Sequence, residues 1–111
     1  MATVMERVAI TRVIRRLIKK YEVKYYLTPF TINCGDCDSF AQDLLTEFPE
    51  GQMFWGDEIP KQFRTDVDPE GHCFFKFKGR YYDSESPKGV SSPDQLHYYL
   101  RIPYEGEIRF V

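Results

Sequence analysis

Cys37, His72 and Asp83 are the residues of this sequence whose types and order suit a shared chemistry. A thiolate attacks acyl carbons once a base or ion-pair partner is present, an imidazole carries the proton, and a carboxylate holds the imidazole in one tautomer. Free cysteine has a pKa near 8.5, and a helix N-terminus with a histidine partner lowers it to roughly 3.5–7.5. Cys37 opens a predicted helix that starts near Asp36 or Cys37 and ends before Pro49 and Gly51. Its apolar residues Phe40, Ala41, Leu44, Leu45 and Phe48 fall on one stripe, which Cys37 joins at the N-terminal end.

His72 and Asp83 are positioned by a predicted hairpin, HCFFKF then RYYDSE, around Lys78-Gly79. A two-residue turn ending in glycine suits such a hairpin. It pairs Phe77 with Arg80, Phe74 with Asp83 and His72 with Glu85. Strand alternation then puts His72, Phe74, Tyr81 and Asp83 on one face, and Phe75, Phe77 and Tyr82 on the other. His72 and Asp83 are diagonal neighbours, about 7–8 Å apart between backbones, a gap that side chains close. A slip of one residue would turn Asp83 to the wrong face. Glu85, directly opposite His72, is the fallback orienter.

The remaining elements follow from periodicity and turn chemistry. Residues 1–24 read as a helix opened by a Thr3–Glu6 capping box, with Val4, Val8, Val13, Ile14, Leu17, Ile18 and Tyr21 at helical spacing. Arg12, Arg15, Arg16, Lys19 and Lys20 form its opposite face, a solvated surface or a docking face for an acidic partner. Residues 23–33 are β-prone but contain Pro29, which predicts a short extended segment and then a tight turn at Gly35-Asp36. Residues 52–71 and 84–93 read as loops, 93–100 as a short helix, with His97 exposed or structural, and the last residues as a closing strand. The expected organisation is one α+β domain, 1–111, with the nucleophile helix packed on a small antiparallel sheet.

Composition narrows the function. The chain has 111 residues, 42% hydrophobic and 29% charged, values of a soluble globular protein. A net charge of −2 argues against a nucleic-acid partner. No apolar run reaches the roughly 20 residues of a membrane span, and the arginine-interrupted start does not read as a signal peptide. Three cysteines argue against a disulfide framework and for a cytoplasmic setting. Cys34, Cys37, His72 and Cys73 are zinc-type ligands, yet adjacent His72 and Cys73 point to opposite faces of a strand, so neither a metal nor another cofactor is expected. A Cys34–Cys37 redox pair lacks the preceding strand of a thioredoxin-like fold. Aromatic residues reach 16%, enough for both a core and a cleft.

The run Cys37-Asp38-Ser39-Phe40-Ala41-Gln42-Asp43-Leu44-Leu45 resembles the nucleophile helix of transglutaminase-like proteins. Cys34-Gly35-Asp36-Cys37 followed by Phe40 is similar to the papain nucleophile segment, and Asp36-Cys37 with Phe40 to that of NlpC-type peptidases. Gly71-His72 and Tyr81-Tyr82-Asp83 match their second and third elements, in the family order. The resemblance covers about residues 33–85. It implies a papain-like or transglutaminase-like fold and a Cys37–His72–Asp83 triad acting on an amide bond of a protein or peptide, as a peptidase, amidase, deamidase or transglutaminase. It also implies a cleft in which Trp55, Phe74 and Tyr81 contact substrate. Where papain carries its oxyanion glutamine this chain has Thr31, so Asn33 or the Cys37 N–H takes that role. Where papain carries a tryptophan after the nucleophile this chain has Asp38, whose charge opposes thiolate formation. The alternative is a catalytically inactive binding or inhibitor protein on the same fold, using the basic N-terminal helix. The small size suits a modifier of one target, such as a phage or effector protein.

Overall fold

The computed structural model describes residues 2–58, 71–104 and 107–110, and the side chains of 2–56, 58 and 71–100. It is an α+β arrangement of two long helices on a four-stranded antiparallel sheet. Helix α1 spans Val4–Tyr25, and its expected capping box is present, with Glu6 N–H donating to Thr3 Oγ1 and Thr3 N–H to Glu6 Oε1. Helix α3 spans Cys37–Glu47. The sheet runs in the order β1 (Gln52–Trp55), β2 (Cys73–Phe77), β3 (Arg80–Asp83), β4 (Ser86–Val90). A separate two-stranded ribbon joins β5 (Arg101–Tyr104) to β6 (Glu107–Phe110), the expected closing strand.

The hairpin has the expected register, with Phe77 opposite Arg80 and Phe75 opposite Tyr82. Lys78 and Gly79 both have positive φ, 48° and 83°, the requirement of a type I′ turn whose twist matches that of the strands. Lys78 also ion-pairs with Glu6, which ties the turn to the start of α1.

Strand β2 is central and covered on both faces, so its run of aromatics is almost wholly buried. On one face Phe75 and Phe77, with Tyr82, meet Ile10, Ile14, Leu17 and Tyr21 of α1 and Phe40 and Leu44 of α3. Burial of each such side chain contributes about 1.5–3 kcal/mol. On the other face Phe74 packs with Leu96 and Tyr99. These last residues lie in two 3₁₀ turns, Pro93–Gln95 and His97–Leu100, in place of the single short helix expected.

Four expectations are corrected. The α1 core stripe includes Ile10, while Val4 and Val8 are exposed, because the sheet meets only the stripe 10, 14, 17, 21. Residues 29–36 are helical, not extended: Thr28 caps a short helix α2 (Pro29–Thr31) with proline at its first position, and a π-helical turn, Ile32–Asp36, replaces the tight turn. Within the expected loop 52–71, Gln52–Trp55 is strand β1, paired with β2; residues 59–70 lie outside the described residues. Within the expected loop 84–93, Ser86–Val90 is edge strand β4, where proline and a register irregularity are tolerated. Gly89 adopts φ +76° there, with the Tyr82 ring against its backbone.

Candidate active site

Four elements meet around Cys37. Pro29–Glu47 is one continuous helical run of α2, the π turn and α3, and Cys37 is the first residue of its α3 segment, directly after the π turn. π turns recur at functional sites. Cys37 belongs to the α3 face that packs on the sheet, in a small cluster with Ala41, Cys73 and Met53. Its Sγ accepts the backbone N–H of Cys73 at 3.3 Å, and its thiol lies 3.9 Å from the Gly71 carbonyl.

His72 immediately precedes β2 and is fully buried. Its carbonyl accepts the N–H of Gly56 at the end of β1. Across the hairpin, His72 Nε2 lies 2.9 Å from Asp83 Oδ2, and the other carboxylate oxygen accepts the N–H of Glu85. With Nε2 engaged, Nδ1 has no hydrogen-bond partner among the described residues, and it is the ring nitrogen left for the Cys37 thiol, with which the ring interacts. Tyr98 lies over the imidazole at a ring-centroid distance of 4.0 Å, and Tyr99 meets it edge-on at 5.6 Å.

The electrostatics favour charge separation. Burial pushes the Cys37 thiol up, but the interaction with the His72 ring and the hydrogen bond from the Cys73 N–H outweigh it, even against the charge of Asp38, and the pKa falls below the usual thiol value. Burial pushes His72 down, but its hydrogen bond to Asp83 and the interaction with the Cys37 thiol outweigh that, and its pKa rises. Both shifts move the pair toward thiolate and imidazolium. Cys73 behaves oppositely: burial, and then the neighbouring Cys37 charge, push its thiol up to about 12, which makes it an inert core thiol.

The structure thus brings Cys37, His72 and Asp83 together. The remaining residues singled out by sequence fare differently. Trp55 ends β1, 42% exposed, on the wall of an open groove of about 430 Å³ beside the N-terminal turn of α3, lined also by Asp38, Ser39, Gln42, Asp43 and Met53. Phe74 does not line a cleft; Leu96 and Tyr99 close over it, leaving it 2% exposed, and Tyr81 packs against the same cluster. Asn33 lies in the π turn, buried, with its Nδ2 donating to Glu85 Oε1 at 2.8 Å and its Oδ1 without a hydrogen-bond partner. Asp83, not Glu85, bonds His72 Nε2; Glu85 ties Asn33 to the turn that follows Asp83. Cys34 is exposed. Among the described residues no three His, Cys, Asp or Glu side chains converge as a metal site, and no helix is long and apolar enough to cross a membrane.

Sequence reasoning missed the Cys73 N–H, Glu85 as a tie to Asn33, and Tyr98 and Tyr99 around the imidazole. Cys73 acts through its backbone, which carries no residue-type signal. The HYYL run at 97–100 was the visible trace of the aromatic wall. Comparison of the chain with family models, curated proteins and solved structures finds no match.

Proposed function

We propose that the protein is a thiol-dependent hydrolase or acyltransferase acting on an amide bond, on a papain-like or transglutaminase-like fold. The observation that carries this reading is the buried Asp83–His72 hydrogen bond, which leaves Nδ1 for Cys37 at the start of α3. The Cys37 thiolate attacks the amide carbonyl, forming a C–S bond while the carbonyl π electrons move to oxygen. When the tetrahedral intermediate collapses, the C–N bond breaks and the His72 imidazolium gives its proton to the leaving nitrogen. The thioester is then opened by water, for a peptidase, amidase or deamidase, or by an amine, for a transglutaminase, with His72 taking the incoming proton. Asp83 holds the ring and offsets the imidazolium charge. The groove beside Trp55 is the approach for a protein or peptide substrate. Asn33 spends its amide on Glu85, so it does not supply the oxyanion donor expected of it.

The test is labelling by an electrophilic acyl probe at neutral pH, with mass spectrometry to locate the adduct. Adduct on Cys37, abolished by His72→Ala, supports the reading. Labelling of Cys37 no faster than of a free thiol, and indifferent to His72→Ala, sinks it.

One observation favours a second reading, a non-enzymatic binding protein. Cys37 is only 6% exposed and His72 is closed over, as befits a structural polar cluster. In that case Cys37→Ser and His72→Ala lower stability and leave partner binding intact.

A further inference from the structure

Helix α1 carries two stripes of identical spacing. Ile10, Ile14, Leu17 and Tyr21 form the buried one. Val4, Val8, Thr11 and Arg15 form the other, turned roughly 120° around the axis at about 100° per residue. The second stripe faces an open groove of about 480 Å³, completed by Arg7 and Arg12 on its flanks and by Lys88 of edge strand β4. Its lining does not include Cys37. Its geometry is set by a hydrogen bond from the Thr11 hydroxyl to the Pro87 carbonyl, 2.8 Å, which fixes β4 against the helix.

The chemistry of this groove is lopsided. Its floor includes Val4, 76% exposed, and Val8, 44% exposed. Its rim holds four cations and no carboxylate. On the neighbouring face of the same helix Arg16 pairs with Glu47, and Lys19 with Glu22. None of Arg7, Arg12, Arg15 and Lys88 is ion-paired among the described residues. Exposed valines and four unpaired cations thus line one groove.

We infer that this groove docks an acidic amphipathic segment of a partner protein, its apolar side chains on Val4 and Val8 and its carboxylates on Arg7, Arg12, Arg15 and Lys88. Charge complementarity selects the acidic residues, and arginine forks match carboxylates in bidentate geometry. The valine floor selects a peptide over a bare polyanion, because a phosphate backbone offers nothing to exposed valines. A net charge of −2 over the whole chain also works against general polyanion binding. This inference does not depend on the chemistry of Cys37.

The experiment uses the full chain and a fluorescein-labelled peptide of Glu and Leu, with the leucines spaced i, i+4, i+7, i+11, followed by fluorescence anisotropy. Saturable binding that weakens as salt rises is expected. Together, Arg12→Ala, Arg15→Ala and Lys88→Ala should weaken it about tenfold or more. Val8→Asp should weaken it comparably, whereas Arg16→Ala and Lys19→Ala should leave it unchanged. Reversing the rim with Arg12→Glu, Arg15→Glu and Lys88→Glu should transfer binding to the matching Lys/Leu peptide, which a merely unfolded variant would not do. The inference is overturned by absence of saturable binding, by wild-type affinity in the triple alanine variant, or by equal binding of poly-glutamate or a single-stranded oligonucleotide.

Discussion

His72 and Asp83 stand on opposite strands of one hairpin, and their side chains close the diagonal between them in a 2.9 Å hydrogen bond buried from solvent. Asp83 Oδ1 in turn accepts the Glu85 N–H, so the carboxylate is held at both oxygens. An imidazole gripped at Nε2 has Nδ1 left, and the ring interacts with the Cys37 thiol. The type I′ turn at Lys78-Gly79 thereby determines the chemistry available at Cys37: it sets the register that places His72 and Asp83 on one face.

The first prediction concerns Cys37 itself. Its lowered pKa should let iodoacetamide alkylation rise and level off at a pH below that of a free thiol, near 8.5. His72→Ala should move the profile back toward the free-thiol value. It should also cost about 10²–10⁴-fold in any turnover on an acyl substrate. Peptide mapping of alkylated Cys37 across pH checks the profile; a wild-type curve that overlays a free thiol contradicts it.

Asp83→Asn should lower stability by about 1–3 kcal/mol, since it weakens a buried charge-assisted bond. His72 has a folded pKa above its ordinary value, so its contribution is fully present below the unfolded pKa, about 6.5, and is lost as pH rises through the folded pKa. The difference in urea midpoint between Asp83→Asn and its parent should therefore be largest below pH of about 6.5 and narrow at higher pH. A Cys37→Ser background removes the thiol's own titration, which runs the other way. A gap that widens with pH contradicts the assignment.

Asn33 and Glu85 should behave as one unit. Asn33→Asp puts two carboxylates where Nδ2 now donates to Oε1 at 2.8 Å, at a cost of about 1–3 kcal/mol. Glu85→Gln in that background restores a donor and should recover most of the loss. Thermal melts of the two single variants and the double variant give the coupling energy; additive effects would show that the two side chains do not act together.

Two glycines with similar backbone angles should respond differently to alanine. Gly79 has φ +83° and open space around a built Cβ, while Gly89 has φ +76° and the Tyr82 ring 2.6 Å from that Cβ. Gly79→Ala carries only left-handed strain, about 1–2 kcal/mol. Gly89→Ala must also displace a ring buried in the core, an overpacking cost of about 1–3 kcal/mol more. Chemical denaturation of both variants tests the order, and equal losses would contradict the packing of β4 over Tyr82.

Much of the fold was legible because local rules governed it. The Thr3–Glu6 capping box, the Lys78-Gly79 turn, the limits of α3 and the two-faced hairpin all follow from neighbours in sequence. What escaped were elements stabilised from outside. Residues Ser86–Val90 contain proline and glycine, and form a strand only because β3 offers a partner. Residues 23–33 looked extended because Tyr25, Tyr26, Phe30 and Ile32 are β-prone, yet α1 runs on to Tyr25, and the Thr28 cap and the start of α3 draw Pro29–Asp36 into helix. Phe74 looked available to a cleft because alternation assigns a face but says nothing of what covers it.

By itself the sequence determined which residues share a face and in what order: Cys37 on an inward stripe, His72 and Asp83 on one side of a hairpin, the basic residues on α1. These are consequences of the 3.6 and 2.0 periods of the backbone, which need no distant contact. Only the tertiary structure decided which of those faces meet. It brought the start of α3 to the start of β2, gave the Cys73 N–H to the thiol, engaged Asn33 with Glu85, buried Phe74, and left Val4, Val8 and four cations facing solvent. Those outcomes depend on how sheet and helices share a limited interior, and close packing settles them across the whole chain at once.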